Sequence, residues 1–237
     1  MGAAVRIGLI DSGCSAAHAS NVVAAAAFGV QDGVVRRGDA QPDRLGHGSR
    51  IADVLLHFAP QAELVVAQVF GERLATSALQ VAAAIDWAVA NEAHILNLSL
   101  GLRAPRAVLA EACARAHAAG VLLCAAAPTR GAPVFPAAFA DMLRVTGDAR
   151  CAREEVAALG AAHADFGAHV RPLDGTLSGA GASMACAHVS GLAARHFTAG
   201  GGPATLRAWL QAQARFHGVE DRAREAAARA ARTDDPR

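Results

Sequence analysis

The stretch SALQVAAAIDWAVANEAHILNLSLG, Ser77 to Gly101, decides the fold. Wound as an α-helix from Ser77 to Asn91, it brings Ala78, Val81, Ala82, Ile85 and Val89 onto one face. Ile95 to Leu98 then reads as a short strand apolar enough to be buried on both sides, the habit of parallel sheets. A one-sided helix that hands over to a fully buried strand is part of a crossover unit.

Outward from this stretch the same alternation repeats. Val5 to Ile10, Leu64 to Val69, Val121 to Ala125 and Met142 to Thr146 are strand candidates of the same kind. Helices are predicted near His47, from Pro105 to Ala119, after Ser183, and after Pro203, where Leu206, Trp209 and Leu210 align. Pro105 suits a first helical position and Gly120 a C-terminal cap. The fold class that follows is α/β, three-layered, with a mostly parallel central sheet and helices on both faces. Asp32 to Gly46 is polar and rich in turn formers, and reads as a loop leading into His47. Residues 1–217 read as one domain, and 218–237 as a charged, Ala-rich tail, helical or frayed.

Composition narrows the function classes. The chain has 237 residues, 53% of them hydrophobic, which is ample for a sizeable core. Its 22 basic and 21 acidic side chains leave a net charge of +1, scattered along the chain, so no nucleic-acid or membrane partner is expected. No long uncharged apolar run suggests a transmembrane helix, and the N-terminus runs straight into a strand without a signal-peptide pattern, so a cytoplasmic location is expected. The five cysteines are dispersed and lack CxxC spacing, which indicates neither a zinc site nor a disulfide framework. The histidines show no paired-ligand spacing, so a metal-dependent hydrolase is not indicated and no cofactor is expected.

Three motifs carry chemistry. In IGLIDSG, Asp11 ends the first strand, at the sheet edge where ligand sites collect, although Asp-Ser-Gly is also a common turn. In LGHGSRIADVL, His47 lies between glycines at a helix start. In GAGASMACAHVSG, Ser183 opens a helix through a small-residue loop, and in isolation it reads as an N-cap. Taken together they supply the carboxylate, base and nucleophile of acyl transfer. Their order is Asp, His, Ser, which is the order found in subtilisin.

On these residues the chain resembles the subtilisin-like serine protease family. The matching parts are IDSG around Asp11, GHGS around His47, APQAEL from Ala59, AIDWAVANEAHILNLSLG from Ala84 to Gly101, FPAAF from Phe135, and GASMACAHVSG from Gly181. The resemblance implies Ser183 as nucleophile, His47 as general base and then acid, and Asp11 as the carboxylate that holds the imidazole. It implies that Ser99, Leu100 and Gly101 pair with a peptide or protein substrate and line the pocket before the cleaved bond. Ala125 to Ala127 match the opposite wall, with Ala126 and Ala127 as substrate-binding candidates. His188, Val189 and Gly191 are expected to pack the helix.

The departures from the family pattern matter as much. After VLLCAAA the family continues with Gly-Asn, whose amide donates to the oxyanion; here Pro128-Thr129 stands, and Thr129, with Arg130 beside it as an alternative, is the replacement candidate. Loss of such a donor costs about 10²–10³ in turnover, a figure that comes from a subtilisin and not from this chain. Ala182 and Ala187 replace the usual Thr and Pro of the serine motif. No propeptide and no acidic calcium loops are recognisable, so a minimal catalytic core is expected. A protease active from birth in a cytoplasm must be slow or narrow, and the expected activity is dedicated processing of a peptide precursor or partner protein. The rivals are an inactive subtilisin-like scaffold that binds peptides, and a peptide ligase or cyclase in which an amine captures the acyl-enzyme.

Overall fold

The computed structural model describes residues 4–177 and 179–220. Ten strands form one sheet: β1 (Arg6–Asp11), β2 (Val22–Gln31), β3 (Val34–Gly38), β4 (Glu63–Gln68), β5 (Ile95–Leu98), β6 (Leu122–Ala126), β7 (Leu143–Gly147), β8 (Val156–Ala158), β9 (Phe166–Ala168) and β10 (Phe216–His217). They lie in the order β10-β8-β9-β7-β6-β5-β1-β4-β2-β3. Among these ten strands of the described residues, only β2 with β3 and β8 with β9 pair antiparallel. Five α-helices among the described residues cover it: α1 (His47–Phe58), α2 (Ala78–Ala90), α3 (Ala107–Ala118), α4 (Ala182–Thr198) and α5 (Pro203–Gln213).

The side-chain period of a strand explains the three layers. From β1, Ile7 and Leu9 enter a core shared with α1, α4 and α5, whereas Ile10 enters a second core shared with α2 and α3. Along α4 every residue from Met184 to Ala194 is buried, so this helix runs through the protein rather than over it. His188, Val189 and Gly191 are among them, as expected.

Several expected boundaries shift. The span Asp32 to Gly46 is not all loop: β2 turns at Asp32 and Gly33, both at positive φ, and returns as β3, a hairpin whose turn matches sheet twist. β3 is an exposed edge strand carrying Arg36 and Arg37, so it lacks the apolar signal of a buried strand. Pro105 is not the first helical residue. Arg106 is extended at φ −134 and its carbonyl accepts from the N–H groups of Leu109 and Ala110, so it is the N-cap of α3. Strands β8, β9 and β10 have two or three residues each, too short to show a period. The expected tail beyond residue 220 lies outside the described residues.

This topology gathers the carboxyl ends of β1, β5 and β6 at one sheet edge. The first turns of α1 and α4 meet them there.

Candidate active site

Asp11, the last residue of β1, is fully buried. Its Oδ1 accepts from His47 Nδ1–H at 2.7 Å and from the Ser12 amide at 2.7 Å. That bond fixes the imidazole tautomer and leaves Nε2 free to take a proton. The approach requires glycine at position 48. A Cβ on Gly48 would lie 2.1 Å from the Gly13 carbonyl oxygen, so the turn after β1 and the start of α1 touch backbone to backbone.

Asp43, which the sequence reading did not single out, braces this contact. Its carboxylate accepts from Ser12 Oγ at 2.9 Å, from the amides of Leu45, Gly46 and Ser49, and from Ser49 Oγ at 2.6 Å. Ser12 Oγ in turn accepts from the Gly48 amide at 2.9 Å. Burial pushes the Asp43 carboxyl up, but the bonds from Ser49, Ser12 and Gly46 outweigh it and hold it below its ordinary value. The available signal was an acid just ahead of a helix start, the position at which a side chain satisfies free amides.

The imidazole of His47 feels opposing effects. Burial depresses its pKa, and the bond and charge of Asp11 with the charge of Asp43 raise it further than burial and Arg50 lower it, so the net direction is upward.

Ser183 is the second residue of α4, behind the N-cap Gly181, and its side chain caps nothing. The cap role that an isolated serine suggests is therefore not the one it has. Ser183 Oγ donates to the Ser99 carbonyl at 3.1 Å, and Ser99 Oγ donates back to the Ser183 carbonyl at 2.9 Å. His47 and Ser183 line one cavity of about 260 Å³, together with Phe70, Leu74, Ser99, Leu100 and Gly101. Three of the expected substrate-binding residues thus share a cleft with the base and the serine.

The others lie elsewhere. Ala126 is buried at the end of β6, and Ala127 lines a neighbouring cavity of about 460 Å³ with Pro128, Thr129 and Val134. Thr129 Oγ1 is 3.0 Å from Thr146 Oγ1, on β7, and Thr129 is not among the residues lining the cleft of His47 and Ser183. His188 is fully buried, its Nε2–H donates to the Arg171 carbonyl, and burial lowers its pKa to about 4, so it is neutral packing. All five cysteines are free, and burial raises every one of their thiols.

The model of the subtilase family, Peptidase S8, matches residues 2–232. M-protease of Shouchella clausii strain KSM-K16 is 31% identical over 211 residues, covering 81% of this chain and 54% of that protein. Subtilisin Savinase of Lederbergia lenta is 32% identical over 155 residues, covering 61% of this chain and 55% of that protein. The chain therefore spans about half the length of these curated relatives. Among solved structures, Sphericase superposes with a TM-score of 0.67 at 21% identity, covering 93% of this chain and 88% of that one. The S41 psychrophilic protease gives 0.66 at 22%, with coverages of 92% and 88%.

Proposed function

Because the chain belongs to the subtilase family, we propose that it is a serine endopeptidase working through Asp11, His47 and Ser183. The observation that carries the reading is the buried 2.7 Å contact of Asp11 with His47, beside a cleft that His47 shares with Ser183. In the proposed reaction Ser183 Oγ turns from the Ser99 carbonyl toward His47 Nε2 and attacks the scissile carbonyl carbon as its proton passes to Nε2. The imidazolium, stabilised by Asp11, returns the proton to the leaving amine, and water then releases the acyl group by the same steps. The Ser183 amide at the start of α4 faces the developing oxyanion, and the Thr129 hydroxyl, which rests against Thr146 outside the cleft lining, has to swing in to serve as the second donor. The substrate lies as an added strand along Ser99 to Gly101, with an apolar side chain against Phe70, Leu74 and Leu100.

We further propose that specificity is narrow, directed to a peptide precursor or a partner protein, in a reducing compartment such as the cytoplasm. The short hydroxyl arm at Thr129, where the family carries an amide, supports slow turnover, and five unpaired thiols support the compartment. A second reading, a peptide-binding scaffold without turnover, is favoured by two resting contacts. Ser183 Oγ is engaged with Ser99, and Thr129 Oγ1 with Thr146.

A fluorophosphonate probe separates the readings. Labelling confined to Ser183 by mass spectrometry, and abolished in Ser183→Ala, is the expected result. Folded protein that takes no label would leave the scaffold reading standing. Rapid, broad digestion of casein would overturn the narrow specificity.

A further inference from the structure

A buried polar chain under the nucleophile has no part in the proton transfers above, and every member of it is placed by distance. Ser190 Oγ donates to Asn97 Oδ1 at 3.0 Å, Asn97 Nδ2 donates to Ser99 Oγ at 2.9 Å, and Ser99 Oγ donates to the Ser183 carbonyl at 2.9 Å. Ser190 and Asn97 are fully buried and Ser99 is 4% exposed. The chain leaves α4 at Ser190, crosses the end of β5, and returns to the same helix two turns earlier.

Its polarity is forced. A carbonyl oxygen only accepts, so the single Ser99 hydroxyl proton is committed to Ser183. Ser99 Oγ must then accept from the Asn97 amide nitrogen, which turns Asn97 Oδ1 toward Ser190 and makes the Ser190 hydroxyl the donor. Without that donor, Oδ1 would be a buried acceptor with an empty side, and such groups are costly to leave unpaired. Rotating the amide relieves the deficit by offering Oδ1 to Ser99. The Ser99 proton is then drawn away from the Ser183 carbonyl, and the helix start loses its tie to β5.

We propose that Ser190 is a positioning residue for the nucleophile: acting through Asn97 and Ser99, it pins the backbone of Ser183 against the end of β5 beside His47. The role rests on Ser183 being the nucleophile, and it deepens that reading. Two turns of buried helix separate Ser190 from the cleft, so Ser190 touches no substrate itself and reaches Ser183 through the Ser99 hydroxyl.

The test is the rate of fluorophosphonate labelling, with kcat and KM on a peptide ester, for Ser190→Ala, Ser99→Ala and the double variant. Losing one net hydrogen bond in the tie is expected to slow labelling and kcat by about three- to tenfold, with KM unchanged for Ser190→Ala, which lies outside the cleft lining. Members of one chain lose their effect together, so the double variant is expected to be no slower than Ser99→Ala. Ser190→Cys, which keeps the size and a weak S–H donor, is expected to fall between parent and Ser190→Ala, and serves if the alanine variant fails to fold. If the parent takes no label, the protease reading falls and the positioning role falls with it. If the parent is labelled and both Ser190 variants react at the parental rate, the positioning role alone falls.

Discussion

The carboxylate of Asp43 accepts five hydrogen bonds, from the turn after β1, from the loop ahead of α1 and from the first turn of that helix, and so ties the Asp11 and His47 segments together beside the direct Ser12–Gly48 contact. Its charge also reaches the imidazole, where it helps hold the His47 pKa above its ordinary value. General-base catalysis needs neutral His47, so activity falls as pH drops through that raised value. Asp43→Asn removes the charge while keeping one acceptor. The acid limb of the pH dependence of kcat/KM is therefore expected to move to lower pH, and an unchanged limb would show that Asp43 does not act on the base. The same variant is expected to cost about 1–2 kcal/mol in denaturant unfolding at neutral pH, as for a lost helix cap. The sign with pH follows from the depressed Asp43 carboxyl. Its contribution is present above the unfolded value, near 3.8, and is lost as pH falls through the lower folded one, so parent and variant converge in acid. Asp11, His47 and Ser183 stood out in the sequence because each sits in a short motif with small neighbours and the three occur in one order. Asp43 did not stand out: its position ahead of a helix start hints at bonds to free amides, but its contacts to Ser12 and Ser49 exist only once the loop has closed.

At the level of elements, α1 and α4 form the pair that carries His47 and Ser183, and their crossing is set by one small residue. A Cβ on Gly191 would stand 2.8 Å from Phe58 Cδ2 and 2.9 Å from Phe58 Cβ, closer than side chains pack. Phe58 is itself 5.4 Å, ring to ring, from His188 and cannot retreat far. Gly191→Ala is therefore expected to destabilise the protein by about 1–3 kcal/mol through overpacking, in spite of the better helix propensity of alanine. Thermal unfolding measures the loss, and a variant as stable as the parent would mean that the two helices slide apart freely. The helices and central strands were legible because the apolar positions of α2 share one helical face and β1, β4, β5, β6 and β7 are short, mostly apolar runs. The hairpin of β2 and β3 was not. VVAAAAFGVQ has no apolar-polar alternation, and VVRRG is a solvated edge. Strand pairing there is set by the neighbour β4 and by the Asp32-Gly33 turn rather than by local pattern.

For the whole molecule, the central question is whether the layers on the two faces of the sheet are one cooperative unit. The strands β1, β4, β5 and β6 supply side chains to both cores, so neither face can open without exposing the back of the other. The chain contains its own reporters. Cys124 and Cys186 lie in the core shared with α1, α4 and α5, and Cys113 and Cys151 lie in the core shared with α2 and α3. Burial pushes Cys113, Cys124 and Cys151 up to about 12 and Cys186 well above its ordinary value, so in the native state none of the four offers a thiolate. Cys14 is only half-buried. In a thiol-reagent titration across denaturant, Cys14 is expected to react first. The other four are expected to become reactive together, with one midpoint that coincides with loss of helical circular dichroism. Earlier exposure of Cys113 and Cys151 than of Cys124 and Cys186 would show that the α2 and α3 layer detaches on its own and would sink the single-unit account. The alternation of helix and strand made the layered class legible, but not this sharing of strands, since which side chains meet across a sheet depends on strand order. That order puts β1 between β5 and β4, and so places the buried carboxylate of Asp11 in the middle of the sheet, where both layers must be intact for His47 to keep its partner.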